Sequence, residues 1–394
     1  MGLNVVVATP THKANAQITK ALRAQGAEGF EPMTIHRLLG LEYAQCFNTG
    51  TESFVRQKDG ELVRRRNQED SPVEVVIVDE TSMLSEEHYR WLLEDAGDAS
   101  VIFVGDDRQL VPISDGKLCS AFRDCDFNFR LDKVMRHDGA ILNLATQIRK
   151  LAYGRPRYEP ADSQESQVIV YTTQQHWLDA MLDVLTGDTS MMNADHARVL
   201  CFNNKSVKRF NQLVHAARFG EDAPEYQPGM ALITHSNVQN PITGGPLYPS
   251  AFDLTLEDAE RTRVLLPGLG EDENWDCWRL LVKSATDLHP VEIFAIPREA
   301  EKEWNEHQRQ ISERAKKAED RSAERAALWR LWFTRKHKFA SLQPAASLTV
   351  HKSQGSTFQH VFLCNDIDNS GKLVNRLAYV GATRPSSSLH VFQP

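Results

Sequence analysis

A strand that ends in two carboxylates is the first place in this chain where residue types and spacing could do chemistry. Val75–Val78 are four consecutive β-branched residues, as in a parallel strand buried on both faces, and Asp79 and Glu80 follow at once. In open α/β sheets, ligands sit at the carboxyl ends of the strands. An Asp–Glu pair at such an edge suits hydrolysis of a nucleoside triphosphate. Asp79 would hold Mg²⁺, usually through water, and Glu80 would polarise the attacking water. Taken alone, the stretch also fits a helix cap, with an Asp or Ser opening the helix after Met83. A second buried strand, Ser100–Asp106, with Gly105 permitting a tight exit, runs on to Gln109, which falls just beyond the strand tip near the same edge.

The other candidates are cationic or sit at helix starts. Thr9-Pro10-Thr11-His12-Lys13 follows a short strand at Asn4–Ala8, with Pro10 ending the strand and Thr11 able to cap a helix over 14–24. Thr34 and His36 open another short helix, and Thr and His at such places are often only caps. Residues 53–58 and 61–66 flank Asp59-Gly60, a strong hairpin signal, so the basic run Arg64-Arg65-Arg66 is predicted on one arm of a projecting hairpin. Such arms are either solvated edges protected by charge or a protrusion that meets nucleic acid. Arg136 precedes a helix over 139–151 with the apolar stripe Ile141, Leu144, Ala145 and Ile148.

The elements that must position these residues are alternating strands and helices. Residues 154–166 read as a linker. A second α/β unit follows: strands at 168–171 and 198–202, helices at 175–185 and 207–217, with Asn204 at the start of the latter. From 220 to 297 short strands between Pro and Gly turns predict a small inserted β-barrel, clearest at 230–234, 278–282 and 291–296. Residues 299–339 mix both charges over a narrow stripe of Ile311, Ala315, Ala318, Ala326, Trp329 and Phe333, and predict solvated helices. The last fifty residues return to α/β, with Thr349-Val350-His351-Lys352-Ser353-Gln354-Gly355 after a strand and Gly381-Ala382-Thr383-Arg384 ending a helix.

At 394 residues, 41% hydrophobic and 25% charged, the chain has the composition of an ordinary multi-domain globular protein. No apolar run approaches the ~20 residues that span a bilayer, and Met1–Pro10 lacks the features of a signal peptide. Six scattered cysteines without a Cys-x-x-Cys pair argue against structural zinc and disulfides and for a reducing, cytoplasmic setting. A net charge of −8 means that any nucleic-acid site is a local basic surface.

Taken in order, these segments resemble the motifs of the superfamily 1B helicases, most closely the RecD- and Dda-like branch. Thr9–Ala14 is similar to motif Ia, Thr34–Leu38 to motif Ib, Val78–Met83 to motif II and Gly105–Leu110 to motif III. Val134-Met135-Arg136 resembles the arginine segment of motif IV, Thr349–Thr357 motif V and Tyr379–Arg384 motif VI. No single motif decides the matter, but seven in order cover nearly the whole chain. The resemblance implies two RecA-like parallel-sheet domains: 1–153, incomplete at its N-terminus and carrying a pin insertion at 41–72, and 167–219 with 343–394. Between them lie the linker at 154–166, an SH3-like barrel at 220–298 and a helical extension at 299–342.

The implied activity is ATP-dependent 5′→3′ translocation on single-stranded DNA and unwinding of duplex at forks, with ATP and Mg²⁺ as cofactors and a monomer as the working unit. Asp79, Glu80, Gln109, Arg136 and Arg384 would be catalytic, and Asp79, Gln109, Arg136, Gly355 and Arg384 would hold the nucleotide, with Asp79 on the metal. Thr9, Pro10, His12, Lys13, Thr34, His36, Arg64, Arg65, Arg66, Asn204, Thr349, His351 and Lys352 would meet the DNA. Such enzymes serve DNA replication, repair and recombination.

No Gly-x-x-x-x-Gly-Lys-[Ser/Thr] occurs in the chain; Gly116-Lys117-Leu118 and Gly371-Lys372-Leu373 lack the hydroxyl residue or the first glycine. The P-loop would therefore lie outside this sequence, on a separate N-terminal piece or polypeptide. Two alternatives stand beside the DNA helicase: a non-hydrolysing single-stranded nucleic-acid-binding relic or regulatory module, and an RNA helicase of the same superfamily.

Overall fold

The structure is a computed structural model that describes residues 3–27, 29–57, 60–68, 71–112, 114–131, 139–151, 154–193, 195–240, 245–284 and 287–394. The first α/β unit contains β1 (Val5–Thr9), α1 (His12–Ala24), β2 (Met33–Thr34) and α2 (Ile35–Leu38). It continues with β3 (Leu41–Cys46), β4 (Thr51–Arg56), α3 (Glu61–Arg66), β5 (Val75–Val78), α4 (Glu86–Ala96) and β6 (Ser100–Phe103). The sheet order is β2-β1-β5-β6, parallel throughout. Its register puts Val6, Val76 and Val101 in one row and Ala8, Val78 and Phe103 in the next, all facing the core with Ile35, Leu38, Tyr89 and Leu92.

The hairpin does not lie where the Asp-Gly signal places it. It pairs β3 with β4 around a turn at 47–50, while Glu61–Arg66 is helical. Gly60 is committed elsewhere: a Cβ there would lie 2.6 Å from the Leu39 carbonyl carbon. The helix has its own local logic. Glu61 opens it, three arginines close it in accord with the helix dipole, Leu62 is buried, and Arg65 reaches back to Glu61 at 2.8 Å. Residues 58–59 lie outside the described residues.

The second unit begins with α5 (Gly139–Lys150), whose stripe of Ile141, Leu144 and Ile148 packs on the second sheet rather than the first. There follow β7 (Ala161–Asp162), β8 (Gln167–Tyr171), α6 (Gln174–Thr186), α7 (Asp188–Met192), β9 (Ala197–Cys201) and α8 (Asn204–Phe219). The insertion holds β10 (Ala231–Thr234), β11 (Val238–Gln239), β12 (Pro246–Tyr248), β13 (Asp253–Leu266), β14 (Glu273–Lys283) and β15 (Val291–Ala295). After it come α9 (Glu301–Lys317), α10 (Ala323–Lys338), β16 (Leu342–Pro344), β17 (Ser347–Thr349), β18 (Phe358–Leu363), α11 (Val374–Ala382) and β19 (Pro385–Phe392). The second sheet runs β17-β9-β18-β19-β8-β7, parallel except for the short β7.

The insertion is a five-stranded antiparallel sheet in the order β15-β14-β13-β10-β16, with β11 and β12 paired separately. β13 escapes a sequence reading because its Glu, Ala and Arg content favours helix. Pairing with β14 along eleven register positions overrides that preference. The helices α9 and α10 pack through Ala315, Leu328, Trp329 and Phe333, joined by Phe47 from the hairpin.

Candidate nucleotide and nucleic-acid site

Asp79 leaves β5 still attached to the sheet, its N–H donating to the Ala8 carbonyl at 3.0 Å. One Asp79 carboxylate oxygen accepts the Glu80 N–H at 2.8 Å. Glu80 itself is left-handed, at φ 53° and ψ 39°, a conformation that costs a residue with a Cβ about 1–2 kcal/mol. That turn throws the chain into a 3₁₀ helix, Thr81–Met83, which is tied back to β6 by the Thr81 N–H on the Val104 carbonyl at 2.9 Å. Gly105 makes this closeness possible, because a Cβ there would meet the Thr81 nitrogen at 3.1 Å. The two carboxylates thus stand half-buried at the carboxyl edge of the sheet, held by a strained backbone.

The segment beyond β6 binds the second unit. Arg149 of α5 holds Asp106 and Asp107, each at 2.9 Å. Tyr379 of α11 donates to Asp106 at 2.6 Å, and burial with this bond pushes its hydroxyl up to about 12. Arg376, also on α11, donates to the carbonyls of Asp107 and Gln109. The Gln109 side-chain oxygen accepts from Gln354 at 3.3 Å, and the other amide atom of Gln354, Oε1, is buried without a hydrogen-bond partner. Arg149, Arg376 and Tyr379 are functional candidates that the sequence reading missed. Arg149, in a last helical turn, looks like dipole compensation, and nothing in spacing reveals its partners 42 and 43 residues away or those of Arg376 and Tyr379 269 and 273 residues away.

Gly355, at φ +75°, lets the next loop approach α1: a Cβ would meet the Ala14 nitrogen at 3.3 Å. Lys13 bonds Ser356 at 3.3 Å and pairs with Asp253 at 3.3 Å. Lys352 donates to the His235 carbonyl at 3.2 Å, and burial, with Lys13 nearby, lowers its affinity for a proton. Two ammonium groups from different units therefore converge, as an anionic ligand would require. His12, His36 and His88 also gather. Burial, then His88 and His12, hold the His36 ring down at about 4.

Several predicted residues serve structure locally. Thr9 is buried and donates to the Thr11 carbonyl at 2.9 Å, Thr34 caps α2, and Thr349 accepts from the Lys352 N–H. Pro10 and His351 are half-buried beside them, and Asn204 is exposed at the start of α8. Arg66 donates to the carbonyls of Asp95 and Glu94, closing the end of α4, so Arg64–Arg66 is not a hairpin arm. Arg384 is 1% exposed and donates to the carbonyls of Val380 and Ser356 and to the Thr383 hydroxyl, all within its own unit. Arg136 lies outside the described residues.

The hairpin spans the two helical layers. At its base, Arg56 pairs with Glu94 and Asp95 and lies over Trp91. At its tip, Glu52 meets Lys336 and His337, and Asn48 meets Asp320 and Arg321.

Residues 1–173 match the AAA domain family, and residues 344–392 match the UvrD-like helicase C-terminal domain family. Over 417 aligned residues the chain is 23% identical to the ATP-dependent DNA helicase dda of Enterobacteria phage T4, covering 97% of this chain and 86% of that protein. Together these matches support a superfamily 1B helicase. Solved structures similar to this helicase include Pif1 from Bacteroides with ADP-AlF3 and single-stranded DNA, at 16% identity and a TM-score of 0.45, covering 99% of this chain and 83% of that one. Pif1 from Candida albicans is similar at 14% identity and a TM-score of 0.45, covering 100% and 91%. Among the described residues no helix is long and apolar enough to cross a membrane.

Proposed function

We propose that this helicase uses ATP to move 5′→3′ along single-stranded DNA as a monomer and to part a DNA fork. The observation that carries the reading is the joined edge. Asp79 and Glu80 of one sheet stand beside a segment whose Asp106, Asp107 and Gln109 are gripped by Arg149, Arg376 and Gln354 of the other unit. A ligand at that edge would change the contacts between the units, and such a two-state closure can be turned into stepping. The named phage relative is a DNA helicase, which supports DNA as the track.

Asp79 fits a divalent cation taken through water, since its hydrogen bond from Glu80 leaves further lone pairs outward. When bound, Mg²⁺ would neutralise phosphate charge. Glu80 would orient the attacking water and Gln109 the γ-phosphate, with Gly355 in the facing loop. Arg136 and Arg384 would stabilise charge developing on the phosphates; Arg384 does so only by leaving its carbonyl partners. Lys13 and Lys352, with Thr9, Pro10, His12, Thr34, His36, Asn204, Thr349 and His351, would line the strand. The antiparallel insertion would act as the SH3-like module, and the β3–β4 hairpin, rather than Arg64–Arg66, as the pin.

ATP turnover with and without single-stranded DNA tests the reading, with Glu80→Gln as the comparison. DNA-stimulated turnover should fall by about 10²–10⁴-fold in the variant while DNA binding persists. The lack of a Gly-x-x-x-x-Gly-Lys-[Ser/Thr] within the 394 residues favours, as second reading, a module that binds single strands without hydrolysis. It predicts that Glu80→Gln changes nothing measurable, and that result would overturn the first.

A further inference from the structure

Two thiols and a carboxylate meet at the carboxyl end of the second sheet. β9 and β18 run parallel and in register up to the Leu200–Leu363 pair, and the Cys364 N–H donates to the Leu200 carbonyl at 2.9 Å. Cys201 and Cys364 are therefore the next cross-strand neighbours, with their side chains on one face of the sheet. Both are buried free thiols, packed under α6 and α8 with Trp177, Val207 and Phe210. Asp366 follows two residues after Cys364. One of its carboxylate oxygens and the two sulfur atoms all lie within 4.8 Å of one another.

Buried cysteines are commonly no more than small apolar side chains. A carboxylate beside a pair of them does not fit apolar packing, and this one is fixed in place. Asp366 accepts the Phe202 N–H at 2.8 Å, the Asn203 N–H at 3.3 Å and the Asn203 side-chain amide at 2.9 Å. Outer hydrogen bonds of this kind orient a metal ligand, and a carboxylate so held still has a lone pair to give. The Cys364 sulfur already serves as an acceptor, taking the Asp366 N–H at 3.5 Å. The Cys201 sulfur lies 3.5 Å from the Ser347 hydroxyl. Asn203 caps α8, so the positive end of that helix favours negative charge here.

We propose that Cys201, Cys364 and Asp366 bind one thiophilic divalent cation of the zinc class, at a site separate from the Asp79 edge. In a tetrahedral zinc site, with bonds of about 2.3 Å to sulfur and 2.0–2.2 Å to oxygen, ligand atoms stand about 3.5–3.8 Å apart. The three atoms reach that spacing by closing about 1 Å. Each thiol gives its proton to water as its sulfur bonds the metal. Two thiolates and a carboxylate around a divalent ion leave one negative charge, which the N–H groups of Phe202, Asn203 and Asp366 and the start of α8 offset. Asn203 and Asn365 are exposed beside the group, so the fourth position opens to water. Two sulfur ligands select zinc, or cobalt in its place, over Mg²⁺ and Ca²⁺, which take oxygen. The bound ion clips β9 to β18 at the start of α8. Spacing in the sequence hides the site, because its ligands belong to distant strands that only the parallel register brings together.

The test uses the full chain, reduced with a phosphine, freed of metal with a chelator and titrated with Co²⁺. One equivalent should give sulfur-to-cobalt charge-transfer absorption and the visible bands of a tetrahedral ion, and an equal amount of Zn²⁺ should erase both. Cys201→Ser and Cys364→Ser should each lower Co²⁺ affinity by tenfold or more with circular dichroism unchanged. The double variant Cys46→Ser/Cys125→Ser, at the two exposed thiols, should bind as the wild type does. X-ray absorption of the Zn²⁺-loaded wild type needs no variant and should show two sulfur neighbours per zinc. With Zn²⁺ at about 100 times Kd, hydrogen exchange at Phe202 and Asn203 should slow by tenfold or more. Absence of the charge-transfer band at saturating Co²⁺ overturns the proposal. So does a band that survives both single variants, or one lost with Cys46 and Cys125. A reduced protein that ignores Co²⁺ but joins the two sulfurs under oxidised glutathione also overturns it, by making the pair a redox couple.

Discussion

Replacing Gly50 by alanine should unlock the hairpin from the α9–α10 pair. Gly50 lies in the β3–β4 turn at φ +68°, and a Cβ there would sit 2.2 Å from Cζ3 and 2.3 Å from Cη2 of Trp329. Trp329 is 3% exposed and packs with Ala315, Leu328 and Phe333, so it cannot swing away without opening that core. The left-handed conformation costs a residue with a Cβ about 1–2 kcal/mol. Displacing a well-packed ring adds about 1–3 kcal/mol. The sum is about 2–5 kcal/mol. Against it stand the packing of Phe47 on Phe333 and the partly exposed contacts of Glu52 with Lys336 and His337 and of Asn48 with Asp320. Polar pairs open to water on at least one side contribute about 0.2–1 kcal/mol each.

The cheaper response is therefore for the hairpin to part locally. Native-state hydrogen exchange should show β3 and β4 amides opening about 30-fold or more faster, with the second sheet unaffected. Fork unwinding should fall more than single-strand binding. Unchanged β3–β4 exchange, or a loss spread evenly over both sheets, would refute the reasoning.

Two further outcomes follow from buried polar groups. Arg384→Met removes at least three donated hydrogen bonds from a fully buried site, and the urea-unfolding free energy should drop by about 2–4 kcal/mol; a loss below about 0.5 kcal/mol would mean that these bonds release the guanidinium freely. His390, bonded to Tyr171 and Ser388, is held at about 4 by burial and by His360, so it stays neutral in the folded protein where the unfolded chain already takes a proton. Its contribution is complete above about pH 6.5 and is lost toward pH 4, at about 1.4 kcal/mol per unit, so the urea midpoint should fall across that window and His390→Gln should flatten the slope.

Elements whose signals are local were legible in the sequence. The β-branched run at Val75–Val78, the apolar stripe of α5 and the capped starts of α1 and α2 each carry their own pattern, so their existence and the placing of Asp79 and Glu80 at a strand tip followed directly. The Asp59-Gly60 signal misled because a turn propensity is weak beside long-range contacts. Gly60 is needed against Leu39 and Gly40, and the hairpin forms earlier, around 47–50. β13 illustrates the same priority, its helix-favouring residues drawn into a ladder by β14.

The order of α/β elements and the chemistry waiting at their strand ends are therefore written locally, since both depend on side-chain period and composition over a few residues. The tertiary structure alone decided which groups face one another. It brought Arg149, Arg376 and Tyr379 onto the Asp106–Gln109 segment and turned Arg384 inward. Those outcomes depend on how two sheets and their helices pack across hundreds of residues, where burial and hydrogen-bond satisfaction outweigh any local preference.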